Sequence, residues 1–309
     1  MTLAALGLLY WLLDRVGWAA VGQAFARVGI VGAAVLFVLG IVENLLDAAA
    51  LSASLPTERR VGILKTLSFT SVGVIVNLFI PWEAGEVVKA GLLGRHVTAR
   101  HAIPSMVIWN YVFKLSRPIV TMIAVLIGVL FVKSIPRSAV FLLIVAAAAS
   151  FLPYFVLKLA LGWGVTRWTL ALLHRLRLLR RDPEGARRTA LAVDSTIRDF
   201  YRERPGDYFR VLFYQMGARV ASWVTWGAAG WILGQRYDFA TVAAMYGAVS
   251  LASLVALASP FKIGVSELLS GGAFGLIGLD PAAGVLVALI MRIKAIATSG
   301  ASSVFLGGK

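Results

Sequence analysis

Ionisable side chains follow a proline inside an otherwise apolar stretch, residues 77–93. Glu83, Glu86 and Lys89 come directly after Pro81. Charged groups are expensive inside a bilayer, and proteins that retain them there usually use them for function. We therefore expect a binding site in this stretch.

A second stretch near the other end of the chain has the same character, with Pro260, Lys262, Gly264 and Glu267. A half-helix that begins after a proline leaves N–H groups without intrahelical partners. These groups and the helix dipole favour an anion, such as a phosphate group. Gly264, like Gly85 in the first stretch, allows close backbone approach. The sequence thus predicts two proline-broken helices with charged tips.

Further charges lie inside neighbouring apolar runs. Four of them are cations that could lie at membrane depth, and they are Lys114, Arg117, Arg292 and Lys294. The carboxylates could balance these cations, bind a cationic headgroup or carry protons. Glu43 and Asp47 share one helix face, where a structural role and a substrate role are both open. A purely structural alternative pairs all the charges inside a bundle, but so many charges at two proline tips are costly for structure alone.

The composition indicates a polytopic helical membrane protein. Of 309 residues, 59% are hydrophobic and only 15% are charged, which is less charge than a soluble domain carries. Several apolar runs reach the roughly 20 residues that cross a bilayer, whereas a β-barrel would show short alternating strands. The net charge of +15 fits cytoplasmic loops and anionic lipid better than nucleic acid.

Several chemistries leave no pattern in the sequence. The chain has no cysteine, which excludes disulfides and thiol chemistry. Its histidines, His96, His101 and His174, form no metal-binding pattern. No phosphate-binding glycine loop is present, so ATP is not expected to drive the protein. We expect no catalytic residue, no metal and no cofactor.

The apolar runs predict one membrane domain, residues 1–309, with about six transmembrane helices and two re-entrant hairpins. A short, weak span at 3–13 and an interfacial helix at 16–29 precede the clear spans. The hydrophilic region 163–207 is predicted to be a basic cytoplasmic connector. The clear spans are residues 30–51, 104–132, 139–162, 208–234 and 283–305.

The placement of arginine and lysine predicts the topology. The connector, Arg59 and Arg95 should all be cytoplasmic by the positive-inside rule. Residues 61–94 would then leave and re-enter the same face, as a hairpin with Pro81 at its tip. Residues 239–279 would form a second hairpin from the opposite face, and both chain termini would be cytoplasmic.

The two halves of the chain have matching positions. Pro81 and Pro260 are 179 positions apart, and the same offset joins Gly85 to Gly264. Each half therefore has the order span, hairpin, span, over about residues 30–132 and 208–307. Inverted repeats with broken helices at the midplane are typical of many transporters.

At these residues the chain resembles the membrane region of lysylphosphatidylglycerol synthase, a flippase-like family. That family carries Asn…Pro-x-x-x-Gly-Glu-x-x-Arg in its first half and Pro…Gly-x-x-Glu in its second. Lys89 stands where arginine is usual, and Trp82-Glu83 stands where glycine or arginine is more common. The matching positions here are Asn77, Pro81, Gly85, Glu86, Lys89, Pro260, Gly264 and Glu267.

The resemblance implies a flippase in the bacterial inner membrane that moves a phospholipid or lipid-linked headgroup. Candidate headgroups are aminoacyl-phosphatidylglycerol and a polyprenyl-phosphate or glycolipid. Because the chain ends at Lys309 just after the last span, we expect translocation without lipid synthesis. The predicted substrate-binding residues are Asn77, Pro81, Trp82, Glu83, Gly85, Glu86, Lys89, Lys114, Arg117, Pro260, Lys262, Gly264, Glu267, Arg292 and Lys294.

Two other functions remain open at this point. The chain could be an intramembrane transferase that acts on a lipid phosphate, with Glu86 or Glu267 as base. It could also be a structural subunit for a separate lipid synthase. The expected partners are a lipid substrate and the membrane, with a homo-oligomer or a synthase as further possibilities.

Overall fold

The computed structural model describes residues 2–80, 84–162, 195, 199–200, 202–257, 259 and 263–304. These residues form α-helices and one 3-10 turn, Thr57–Arg59, and no strand occurs among them. The all-α prediction is confirmed. The helices are α1 (Thr2–Val16), α2 (Trp18–Ser54), α3 (Ile63–Phe79), α4 (Ala84–Leu93), α5 (Ala99–Phe131), α6 (Arg137–Ala149), α7 (Leu152–Gly162), α8 (Pro205–Ile232), α9 (Phe239–Leu257), α10 (Val265–Leu276) and α11 (Pro281–Ser303).

Five stretches of the described chain are long and apolar enough to cross a membrane, which confirms a multi-pass membrane protein. Helix α1 has 15 residues and α3 has 17, fewer than the roughly 20 that a full span needs. The count of six spans and two re-entrant hairpins stays a prediction. The five stretches are Trp18–Ser54, His101–Phe131, Arg137–Leu159, Phe239–Ala256 and Pro281–Ser303.

Two breaks divide long apolar runs. Gly29 interrupts α2 with φ 51° and ψ −172°, a conformation that glycine adopts without steric cost. The break lies where the sequence predicted the interfacial helix to meet the first clear span. The predicted span 139–162 is two helices, because α6 ends at Ala149 and α7 begins at Leu152. Pro153 lies in the first turn of α7, where its missing N–H removes no helix bond.

Helices α3 and α4 form a tight antiparallel pair. A Cβ atom added to Gly85 would lie 2.0 Å from the Gly73 carbonyl oxygen. At the far end of the pair, the Phe69 ring centroid lies 5.0 Å from that of His96, just beyond α4. The glycines let the two backbones approach closely, and the chain returns to the end of the bundle from which α3 began.

Helices α2 and α8 pack antiparallel along the middle of the bundle. Arg27 donates a hydrogen bond to the Leu233 carbonyl at one end (3.0 Å). Arg204 donates to the Leu55 carbonyl at the other end (2.8 Å). An apolar cluster surrounds each end. The Leu55 cluster includes Leu55, Phe69, Leu93, Val112 and Val211, and the Leu233 cluster includes Leu233, Met245, Phe274, Ile277 and Val287.

Charged residues lie between the two clusters along these helices. On α2, Glu43 and Asp47 come after Leu36 of the Leu233 cluster and before Ala50 of the Leu55 cluster. On α8, Arg219 likewise lies between Val211 and Ala229, which belong to opposite clusters. The bundle therefore has a charged middle layer with an apolar cluster on each side.

Candidate functional site

The residues of the first motif meet where α3 packs against α4. The Gly85 N–H donates to Asn77 Oδ1 at 2.8 Å. Asn77 Nδ2 and Lys89 Nζ both donate to Glu86 Oε1, at 3.3 and 2.8 Å. Lys89 is only 3% exposed, and its ammonium lies 4.4 Å from the centroid of the Trp109 ring, where the ring quadrupole attracts a cation.

The second carboxylate oxygen of Glu86 differs from the first. Glu86 Oε2 is buried and has no hydrogen-bond partner within the described part of the chain. A buried acceptor without a partner carries a desolvation cost of about 1–3 kcal/mol, and more when it is charged. This oxygen can therefore accept a hydrogen bond from an ammonium or hydroxyl group that enters the site.

The second motif is built at the start of α10. Gly264 has φ +81°, and its N–H donates to Glu267 Oε2 at 2.8 Å. Ser266 Oγ donates to the same oxygen at 3.0 Å. Arg292 on α11 donates to both carboxylate oxygens, through Nε to Oε1 at 2.5 Å and through Nη2 to Oε2 at 3.1 Å. Glu267 is fully buried, so its charge is stabilised by these donors.

The two motifs have the same arrangement of hydrogen bonds and charges. In each, the N–H of a glycine at the start of a half-helix donates to a side-chain oxygen, and a carboxylate pairs with a cation. They differ in how far that carboxylate is satisfied. Both oxygens of Glu267 accept hydrogen bonds, whereas within the described ranges only one oxygen of Glu86 does. The first motif is therefore the better candidate for ligand contact.

A third set of charges joins α2 to α8 and α11. Lys294 Nζ donates to Glu43 Oε2 at 2.8 Å, and Thr225 Oγ1 donates to Glu43 Oε1 at 2.6 Å. Arg219 Nη2 lies 2.8 and 2.9 Å from the two oxygens of Asp47. Glu43 and Asp47 therefore point into the bundle and pair with cations on α11 and α8.

Trp109 connects this set to the first motif. With its amide oxygen facing Trp109, Gln215 accepts from Nε1 at 2.7 Å and donates to Asp47 Oδ1 at 3.2 Å. The face of the same Trp109 ring contacts the Lys89 ammonium of the first motif. Trp109, Gln215 and Thr225 were not among the residues predicted from the sequence. The i, i+4 spacing of Gln215 and Arg219 could have indicated that Gln215 shares a helix face with a charged residue.

Lys114 and Arg117 lie between α5 and α9. They line a cavity of about 50 Å³ between α5 and α9, together with Ser150 and Ser250. Arg117 Nη2 donates to the Ser250 carbonyl at 3.4 Å and to Ser253 Oγ. These contacts hold α5 against α9, and the cavity has room for a few water molecules.

An apolar groove of about 390 Å³ runs between α2 and α11. Among the described residues, Lys294 is the one charged residue that lines it, and its ammonium contacts Glu43. The groove passes the Gly29 break of α2. Its lining residues are Phe25, Val28, Gly29, Ala33, Leu36, Phe37, Ile290, Ile293, Lys294 and Ala297.

Some of the predicted site residues lie outside the described residues. These are Pro81, Trp82 and Glu83 at the first tip, and Pro260 and Lys262 at the second. Within the described ranges, no three histidine, aspartate or glutamate side chains are grouped as they would be around a metal ion.

The sequence profile of the lysylphosphatidylglycerol synthase TM region matches residues 2–299 of the chain, and no curated protein and no solved structure matches it. The match covers both motifs and all of the helices from α2 to α10. It agrees with the apolar helical bundle and with the resemblance carried by the two motifs. The family is one of membrane proteins linked to lipid metabolism or transport. The chain therefore belongs to the lysylphosphatidylglycerol synthase transmembrane-region family.

Proposed function

We propose that this protein is a lipid flippase of the bacterial inner membrane. It moves a phospholipid or lipid-linked headgroup between leaflets without changing it chemically. The observation that carries this proposal is the buried Oε2 of Glu86, which has no hydrogen-bond partner among the described residues. It lies beside the Lys89 ammonium, at the start of a half-helix in the charged middle layer of the bundle.

The site offers complementary groups to a headgroup that carries both a phosphate and an amine. Glu86 Oε2 accepts from the ammonium or hydroxyl group. The phosphate lies at the start of α4, where the first N–H groups have no intrahelical acceptor, although the Gly85 N–H already donates to Asn77 Oδ1. An aminoacyl-phosphatidylglycerol or another amine-bearing phospholipid fits this pair of charges better than a polyprenyl-phosphate, which has no amine for Glu86.

The apolar groove between α2 and α11 suits the lipid's acyl chains. Its walls are aliphatic and aromatic, so a chain that leaves the bilayer loses little free energy there. Lys294, at the wall of the groove, joins it to the charged layer through Glu43. A headgroup can thus cross the charged layer while its chains stay in apolar surroundings.

An inverted repeat accounts for the corresponding make-up of the two apolar clusters. In the first half, the end of α2 and the starts of α3 and α5 supply the Leu55 cluster. In the second half, the end of α8 and the starts of α9 and α11 supply the Leu233 cluster. The end of each half-helix, Leu93 or Ile277, joins the same cluster as the start of its hairpin partner. This correspondence supports two re-entrant hairpins that enter from opposite faces.

The loops at each end of the bundle support the predicted orientation. Arg60 contacts Asp207 at one end, which brings the connection after α2 beside the start of α8. At the other end, Gly278 packs against the Ser134 carbonyl. We assign the arginine-rich end to the cytoplasm by the positive-inside rule. The end of α11 then lies on the cytoplasmic side, and a full crossing by α1 would place the start of the chain there too.

The proposal is tested by separating the charge of Glu86 from its structural pairing. The full chain is reconstituted in liposomes with a fluorescent, amine-bearing phospholipid, and its movement between leaflets is timed. Glu86→Gln keeps the side-chain volume but removes the charge. Because a hydrogen bond to a charged group contributes about 1.5–3 kcal/mol, transport should slow about tenfold or more.

A second variant removes the partner cation. Glu86→Gln leaves the Lys89 ammonium without its carboxylate and should therefore lower the Tm. In Glu86→Gln/Lys89→Met neither charge remains, so the Tm should recover while transport stays slow. Glu58→Gln, an exposed carboxylate in the 3-10 turn, is the matched control and should transport normally. Wild-type transport by the double variant would remove Glu86 from the mechanism and overturn the proposal.

A further inference from the structure

A separate arginine cluster lies where α2, α3 and α8 meet at the Leu55 end of the bundle. Asp207, in the first turn of α8, accepts from Arg60 Nη2 at 2.9 Å and from Arg210 Nη1 at 3.3 Å. Arg204 Nε also donates to Asp207, at 2.9 Å. Three guanidinium groups thus share one carboxylate.

The cluster carries more donors than its carboxylate can accept. Each guanidinium has five N–H donors, whereas an ionised carboxylate accepts about four hydrogen bonds. The cluster of four residues has two positive charges in excess. Asp207 is largely buried, with 11% of its side chain exposed, but Arg210 is 63% exposed and Arg60 is 33% exposed. The excess donors therefore face a surface that a ligand can reach.

A pocket of about 250 Å³ opens beside this cluster. Arg60, Arg210, Tyr214 and Ser52 supply its polar lining. Its apolar lining includes Ile63, at the start of α3, where no side chain caps the helix. Guanidinium groups and an uncapped helix start are the groups that bind phosphate oxygens in proteins.

We propose that this pocket binds the phosphate group of an anionic headgroup, at a site distinct from the Glu86 motif. Arg60 and Arg210 hold the phosphate oxygens, and Tyr214 closes the side of the pocket formed by α8. Ala49, Ala53 and Ile63 provide an apolar wall, which suits a phospholipid better than a free phosphate compound. Binding at this site does not require the protein to move lipids between leaflets.

The test measures the thermal stability of the purified full chain in detergent as ligand is added. Phosphatidylglycerol should raise the Tm, and phosphatidylcholine at the same concentration should raise it less, because its choline repels the arginines. Arg210→Gln, at a mostly exposed position, should fold normally and lower the apparent affinity for phosphatidylglycerol about tenfold or more. The control Arg236→Gln changes an exposed arginine at the opposite end and should leave that affinity unchanged.

Asp207→Asn distinguishes a binding site from a structural ion cluster. If the arginines bind a ligand, removal of the competing carboxylate should increase the affinity for phosphatidylglycerol several-fold. If the cluster only holds α8 in place, this variant and Arg60→Gln will lower the Tm without changing the response to lipid, and that result would overturn the proposal. A response to inorganic phosphate as large as that to phosphatidylglycerol, and lost in Arg210→Gln, would identify a free phosphate compound as the ligand.

Discussion

Glu43 and Lys294 are 251 residues apart in the chain, yet the Lys294 ammonium lies 2.8 Å from Glu43 Oε2. The contact joins α2 in the first half of the chain to α11 in the second. Thr225 on α8 donates to the other oxygen of the same carboxylate. Three helices therefore meet at one side chain in the charged layer, and their packing depends on its charge.

Loss of the Glu43 charge should strongly destabilise the bundle. Glu43→Gln leaves Lys294, which is 9% exposed, without a carboxylate partner. Breaking one side of a buried ion pair costs about 3–5 kcal/mol, and thermal unfolding in detergent will measure it. Glu43→Gln/Lys294→Met should recover most of the loss. If Glu43→Gln alone unfolds at the wild-type temperature, the pair does not hold the halves together.

The close approach of α3 and α4 predicts opposite results at two glycines of the same helix. In Gly85→Ala the new Cβ would lie 2.0 Å from the Gly73 carbonyl oxygen, so the helices must separate. The cost should lie at the upper end of the roughly 1–3 kcal/mol typical of overpacking, and transport should fall. Gly91→Ala adds a Cβ that meets nothing within 4 Å and should gain up to about 1 kcal/mol of helix propensity. Equal Tm values for the two variants would contradict this packing.

The geometry of Arg292 predicts that charge alone will not replace it. Arg292 donates to both oxygens of Glu267, and a lysine ammonium cannot reproduce that planar fork. Arg292→Lys should therefore lose about 1.5–3 kcal/mol, the value of a hydrogen bond to a charged group. Arg236→Lys, at an exposed position, is the control and should unfold as the wild type does. A stable Arg292→Lys protein would show that only the charge matters.

The two-hairpin topology predicts which loop positions label from the same side. The chain has no cysteine, so single introduced thiols report without background. Arg59→Cys and Arg95→Cys should both react with an impermeant reagent from the cytoplasmic face. Lys133→Cys and Arg236→Cys should both react from the opposite face. All four positions are exposed. Labelling of Arg59→Cys and Arg95→Cys from different faces would make α3 a full span and exclude the first hairpin.

The sequence was sufficient to predict the parts of the site that follow from local order. The spacing of Asn77, Gly85 and Glu86 around a proline indicated a broken helix with a charged tip, and these residues meet in the structure. The break at Gly29 also lies where the apolar pattern changed. Such features depend on neighbouring residues, so the sequence alone carries them.

Contacts between helices that are distant in the chain could not be predicted from the sequence. Glu267 has Lys262 five residues before it, but its partner among the described residues is Arg292, 25 residues later. That pairing depends on how α10 packs against α11. The spacing of Gln215 and Arg219 places them on one face of α8, but it does not show that Gln215 faces Asp47 or that Thr225 faces Glu43.

The most direct test of the proposed function measures both the position and the mass of a lipid. The purified full chain is reconstituted in liposomes with a fluorescent, amine-bearing phospholipid in one leaflet, and its appearance in the other leaflet is followed. The lipid is then extracted for mass spectrometry. We predict rapid movement with no change in mass, and movement about tenfold slower or more for Glu86→Gln. A changed mass would instead indicate a transferase, and an unmoved, unchanged lipid with the wild-type protein would contradict a flippase.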